Sequence, residues 1–185
     1  MLYVTARTLG EGRRAGIVSA FGIAAGTLVH TGVVTFGLAQ VVRQAPLLYD
    51  AIRFAGAAYL VFLGVSNLLT RAHGIDLPET GAASGWQTFT QGVVTNVLNP
   101  KVALFFLAFL PQFVRPDQGR VAWQLLTLGI VFNVSGTTVN CLVALGVNRV
   151  RGWLTGSARA RLLLRRVPGV VFLGLGARLA LDRAR

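Results

Sequence analysis

Acidic residues are scarce in this chain, with six Asp and Glu among 185 residues. Charged residues of either sign come to 13%, where a soluble domain carries about 25%. Too few ionised groups remain to cover a water-facing surface, which excludes an ordinary soluble globule. Cysteine is confined to Cys141, inside an apolar run, which excludes a disulfide framework and a cysteine-built metal site. The acids Glu11, Asp50, Asp76, Glu79, Asp117 and Asp182 fall in expected loops or at the ends of apolar runs. No HExxH, GxSxG or phosphate-binding glycine loop occurs. We therefore expect neither an enzyme nor a bound cofactor. Residues 1–14 hold three arginines and no apolar core of the length a secretory signal needs.

What the chain has in quantity is apolar surface. Hydrophobic residues make up 54%, and the mean hydropathy is +0.62. This is the composition of an integral membrane protein whose partner is the lipid bilayer, here in one unit spanning residues 1–185. The net charge of +12 does not indicate a nucleic-acid partner, because the arginines stand at the ends of apolar runs, as at Arg13 and Arg14 or Arg149 and Arg151. That is where cations flank bilayer-crossing helices.

A spanning helix needs about 20 mostly apolar residues. Five runs qualify: Ala15–Val42, Phe54–Thr70 (short, but extendable backwards past Arg53), Gly92–Val114 with an interruption at Pro100–Lys101, Val121–Asn148, and roughly Leu162–Leu181. The expected fold is all-α and polytopic, with five transmembrane helices. Residues 71–91, beginning RAHGIDLPETGAASGWQ, read as a surface linker. With residues 1–14 cytoplasmic and the sides alternating, Arg7, Arg13, Arg14, Arg71, Lys101 and the six arginines from Arg149 to Arg166 lie inside, eleven cations against seven outside. The bias favours this orientation.

The chain also echoes itself. GRRAGIVSAFGI (12–23) and GRVAWQLLTLGI (119–130) share Gly, Arg, Ala, Gly and Ile at identical spacing with an offset of 107, and GAAYLVFLG (56–64) resembles GVVFLGLG (169–176). The expected organisation is two three-helix repeats, residues 1–70 and 92–185. With an odd number of helices each, they must be inverted relative to one another. The first repeat is then truncated, since nothing as long as the Gly92–Val114 run precedes Ala15. Either the first repeat lacks its opening helix, or MLYVTARTLG is the tail of a helix that begins upstream.

Three sets of residues could carry function. The first is NVLNPK, residues 96–101. Pro100 has no backbone N–H and leaves a carbonyl one turn earlier, near Asn96, without its helical partner. Inside a bilayer such a group needs a partner in the protein or in a wet cavity. Asn96 and Asn99 share a face, and a half-helix N-terminus beside Lys101 suits a carboxylate. On spacing alone, an alternative stands beside this one: Pro100 starts a helix at the cytoplasmic surface and Lys101 obeys positive-inside placement. The second set is Gly22, Gly26 and His30, at i, i+4 and i+8 on one stripe. The glycines permit close helix packing, and His30 either handles protons or bonds a neighbouring helix. The third is Asn133, Thr137 and Asn140, a polar face that points inward and either lines a path or joins helices by hydrogen bonds. Tyr3, Trp86, Trp123 and Trp153 suit the interfacial belt, and Gln112 a helix boundary.

GEGRRAGIVSAFGIAAG followed by VH, then FAGAAYLVFLG, GVVTNVLNPKVALFFLAFLPQF and PGVVFLGLGARLAL, cover nearly the whole chain in order. Together they resemble the lysine exporter and homoserine/threonine exporter family of bacterial amino-acid efflux proteins. The resemblance implies six helices in the complete pattern, the first carrying a Pro-Gly-Pro motif that is missing before residues 1–9 here. It also implies an acidic residue where this chain has Thr27, a departure that removes support for proton coupling at that position. It favours a substrate-path role for the broken helix. The function implied is an inner-membrane exporter of amino acids or close derivatives, driven by the proton gradient or membrane potential. The alternative is a truncated, non-transporting membrane module or assembly partner. A homo-oligomer of such small units is compatible with either.

Overall fold

The computed structural model describes residues 2–69 and 83–156, and every element in these two segments is helical. They form α1 (Leu2–Glu11), α2 (Arg13–Gln44), α3 (Pro46–Leu69), α4 (Gly85–Val97), α5 (Pro100–Phe109) and α6 (Val121–Gly156), with short 3-10 turns at Leu110–Phe113 and Pro116–Gln118. The expected run Leu162–Leu181, its echo of residues 56–64, and most of the stretch read as linker lie outside the described residues.

The breaks between helices have local causes. Gly12 takes φ +92°, a backbone region that favours glycine, and turns α1 into α2. Gly119, its counterpart at the offset of 107, takes φ +65° just before α6. Pro46 starts α3, where a missing N–H is harmless. This start lies eight residues before Phe54, because the charged Asp50 and Arg53 interrupt apolarity without interrupting the helix. The stretch read as linker up to residue 91 likewise ends sooner. Ser84 and Gln87 form a reciprocal capping box, with Gln87 N donating to Ser84 Oγ at 3.2 Å and Ser84 N to Gln87 Oε1 at 2.9 Å, and α4 starts at Gly85. The helix-start signal outweighs the Gly- and Ser-rich composition around it.

Three described helices are long and apolar enough to cross a membrane, and α4 with α5 and the turn to Phe113 is apolar enough to do so as a pair bent by 58° at residues 98–99, a broken span or a re-entrant loop. α2 is the hub and packs against α1, α3, α4, α5 and α6. Contacts at its glycines fix the directions. Gly16 faces Thr8 of α1 and Ala144 of α6, and Thr31 faces Gly129, so both neighbours run antiparallel to α2. Gly22 lies against Phe89 and Gly92, and Gly26 against Val93 and Asn96, so α4 runs parallel to it. By these registers, Trp86 at the start of α4 is level with about Gly16, and Trp123 at the start of α6 with about Gly37. Both indoles are exposed. They lie roughly 21 residues apart along α2, about 31 Å, which matches a hydrocarbon core of about 30 Å.

The interior is uneven along this axis. At one end Phe106, Leu110, Val114, Leu125, Val34, Leu38 and Tyr49 form a core, with Phe105, Phe109 and Phe132 stacked on it. At the other end the core is small, formed by Val4, Ala20 and Ala144 with Ile17, Ile23 and Cys141. Between them the buried face of α2 turns polar, with Thr27, His30 and Thr31.

Candidate functional site

The bend between α4 and α5 is the centre of the polar level. In a continuous helix the N–H of residue 100 would donate to the carbonyl of Asn96. Pro100 cannot. His30 Nε2 lies 3.0 Å from that carbonyl oxygen instead. A carbonyl only accepts, so Nε2 carries the hydrogen, and in the neutral ring Nδ1 is then an acceptor. Asn99 N also reaches the Asn96 carbonyl, at 3.0 Å. The group that proline leaves open is thus bonded both from its own turn and from α2.

His30 reaches the bend because α2 and α4 touch backbone to backbone below it. A Cβ at Gly22 would stand 2.4 Å from the Phe89 carbonyl, and one at Gly26 2.7 Å from Asn96 Cβ. A Cβ at Gly92 would in turn stand 3.1 Å from Gly22 Cα. Small residues let the helices approach in this way.

The expected site residues divide into two groups. Gly22, Gly26, His30 and Asn96 meet at the α2–α4 crossing, with His30 and Asn96 each 8% exposed. Asn99, Pro100 and Lys101 form the turn itself. The Asn99 side chain caps α5 by accepting from Lys101 N at 3.0 Å, Pro100 takes the first helical turn, and Lys101 and Pro100 are exposed. The N-terminus of α5 therefore has an internal acceptor. On the opposite flank of α2, Asn133 and Thr137 are half-buried and Asn140 is buried. The α2–α6 register sets Asn133 opposite Thr27. Gln112 joins helices, with Nε2 donating to Arg53 O at 2.8 Å and Ala108 O at 2.9 Å.

Five buried side-chain oxygens have no hydrogen-bond partner among the described residues: Ser19 Oγ, Thr35 Oγ1, Asn96 Oδ1, Gln112 Oε1 and Asn140 Oδ1. Two belong to expected site residues. Unpaired polar atoms in such a place are costly and mark where a water or ligand group would be welcome.

One constellation escapes the reading of apolar runs. Arg7 on α1 pairs with Glu11 one turn on, donates to Gln91 of α4, and stacks over Tyr3, whose hydroxyl lies 3.3 Å from Arg7 Nε. The Arg7 and Glu11 side chains are 7% and 8% exposed. Their spacing of four, Glu after Arg on one helix face, is the signal that could have found them.

With every described element helical, three helices long and apolar enough to cross a membrane, and a bent apolar pair beside the unpaired Asn96 amide, this is a multi-pass membrane protein of the bacterial inner membrane. It belongs to the LysE type translocator family, whose pattern it matches over residues 1–183. It is 32% identical over 178 residues to the homoserine/homoserine lactone efflux protein of Salmonella typhimurium, covering 95% of this chain and 84% of that one. It is 27% identical over 192 residues to the threonine efflux protein of Escherichia coli K12, covering 98% and 88%. No solved structure matches it.

Proposed function

We propose that this protein exports amino acids or close derivatives, using the proton gradient or the membrane potential, through a path at the level of the α4–α5 break. The observation that carries this reading is the His30–Asn96 bond across the break, with the Asn96 amide oxygen buried and unpaired beside it. Discontinuous helices with polar groups at mid-membrane are how transporters hold substrates where irregular backbone is otherwise forbidden. The efflux activity named for the relatives from Salmonella and Escherichia agrees with it.

The height of the break supports the same site. If the offset of 107 marks an inverted repeat, the axis relating the halves passes where α2 meets its own counterpart in α6. The antiparallel register puts that point at Gly26 and Thr27 against Asn133 and Val134. This is midway between the levels of Trp86 and Trp123, and level with Asn96. Asn96 and Asn133 then approach the axis from opposite flanks of α2, with Thr137 and Asn140 continuing the path along α6. Asn99 and Pro100 shape the turn, and Lys101 marks its exposed mouth.

The experiment is export from cells loaded through dipeptides, each amino acid being assayed in the medium, for intact protein, Asn96→Ala, Lys101→Ala and an empty vector. Selective efflux of one amino-acid class, lost in Asn96→Ala, is the expected result. Loss in Lys101→Ala as well would extend the path to the exposed mouth. Efflux no greater than the empty vector from well-expressed intact protein would overturn the reading.

A further inference from the structure

The Arg7–Glu11 pair lies at the end of the bundle that holds Trp86, below the α4–α5 break and outside the site just described. Its burial needs an explanation. Taking a carboxylate and a guanidinium out of water costs several kcal/mol per ion, and apolar residues of similar volume commonly serve a fold as well or better. The expense is notable in a chain with six acids.

We infer that Arg7 and Glu11 form a second binding site, a clamp for the zwitterionic α-amino and α-carboxylate groups of the exported substrate; this rests on the export reading above. The guanidinium has five N–H groups, and its described partners are Tyr3 Oη, Glu11 and Gln91. Its planar fork fits a carboxylate through two parallel hydrogen bonds. Glu11, one turn away, accepts from an ammonium. An amino acid carries both groups on one carbon, so it can replace the internal pair by two ion pairs with no buried charge left alone. The exchange is electroneutral. A plain amine or a plain carboxylate would leave one member of the pair without a partner, a loss of several-fold to more than tenfold in affinity.

The same exchange has a mechanical side. Arg7 is the polar tie between α1 and Gln91 of α4. Gln91 lies on the helix that carries Asn96, five residues further on. Turning the guanidinium toward a substrate carboxylate releases that tie. Occupancy of the clamp therefore loosens α1 from α4 at the end of the bundle from which substrate would approach the break.

The test uses the full chain in lipid nanodiscs and direct binding of homoserine, threonine and homoserine lactone, the last having an ammonium but no free carboxylate. Arg7→Gln should weaken both amino acids at least tenfold and the lactone less than twofold, and Glu11→Gln should weaken all three. Where Arg7→Gln does not fold, Arg7→Lys replaces it, keeping the charge without the fork; several-fold weaker amino-acid binding with the lactone unchanged is expected. In an Asn96→Ala background, which removes binding at the break, the double variant Arg7→Met, Glu11→Leu should keep the melting temperature of that background and bind neither amino acid. Binding by that double variant as tight as by the background would reduce the pair to a structural tie and overturn the clamp, as would an equal loss for amino acids and lactone in Arg7→Gln. Intact protein that exports one of these amino acids yet binds it equally well without Arg7 and Glu11 overturns the clamp alone, whereas the absence of any export overturns the export reading.

Discussion

His30 Nε2 on α2 donates to the main-chain carbonyl of Asn96 on α4 at 3.0 Å, taking the place that the N–H of residue 100 would fill in an unbroken helix. A side chain 66 positions away thus completes the hydrogen bonding that proline interrupts.

That relationship predicts a coupled pair. His30→Ala removes one of the two donors to the buried carbonyl, leaving Asn99 N, and should cost about 0.5–1.5 kcal/mol. Pro100→Ala restores an N–H able to reach the same oxygen. The double variant should be more stable than the sum of the two single changes by at least about 0.5 kcal/mol, the size of coupling expected for groups sharing a partner. Thermal unfolding in detergent measures all four proteins of the cycle, and strict additivity would count against the substitution of one donor for the other.

The glycines divide by their surroundings. Gly22→Ala and Gly26→Ala place a methyl within 2.7 Å of α4 and should destabilise by about 1–3 kcal/mol through forced separation of the helices. Gly32→Ala and Gly37→Ala meet nothing within 4 Å and should be neutral or gain up to about 1 kcal/mol of helix propensity. Comparing the melting temperatures of the four variants checks this directly.

Asn96 and Asn140 should show stability and activity moving apart. Each buries an amide oxygen without a described partner. Removing the amide in Asn96→Ala or Asn140→Ala relieves that penalty, so stability should stay within about 1 kcal/mol of the parent or rise. Efflux should fall at least several-fold. A parallel loss of both would make these side chains ordinary packing groups.

Asn99 offers a different contrast. As the cap of α5 it accepts from Lys101 N, and Asn99→Ala should cost about 1 kcal/mol, whereas Asn99→Asp and Asn99→Ser keep an acceptor and most of the stability. If capping is its whole contribution, efflux by Asn99→Ser will equal that of the parent once expression is matched. Reduced efflux at equal stability would add contact with the substrate.

Much of this architecture is written locally in the chain. The uncharged run from Ala15 to Val42 becomes α2 with two further residues at each end, and the run starting at Val121 becomes α6. Pro100 after Asn99 announces a helix start in the middle of an apolar run, and the structure bends there. The inward turn of Asn140 follows from polarity at helical spacing. Two starts are harder to read. Pro46 and Ser84 open α3 and α4 in stretches whose charge or glycine content suggests loops, because hydropathy windows do not register capping chemistry. The pairing of His30 with Asn96 has no local signature at all. It depends on α2 and α4 running parallel with glycines between them, a property of the packed bundle. Arg7 and Glu11 stood in plain view at a spacing of four, but a short segment before the first long apolar run reads as a tail.

The glycine contact between α2 and α4 sets what can move. Two backbones in direct touch leave no room to roll, so these helices behave as one solid piece, a stator with the His30 bond as its pin. Among the described residues α6 packs on α2 rather than on α4, and α1 touches both α2 and α6. A working cycle would then swing α1 and α6 around a fixed α2–α4 frame. Spin-label distances from α2 to α4 should hold constant when substrate is added, while those from α6 to α4 change.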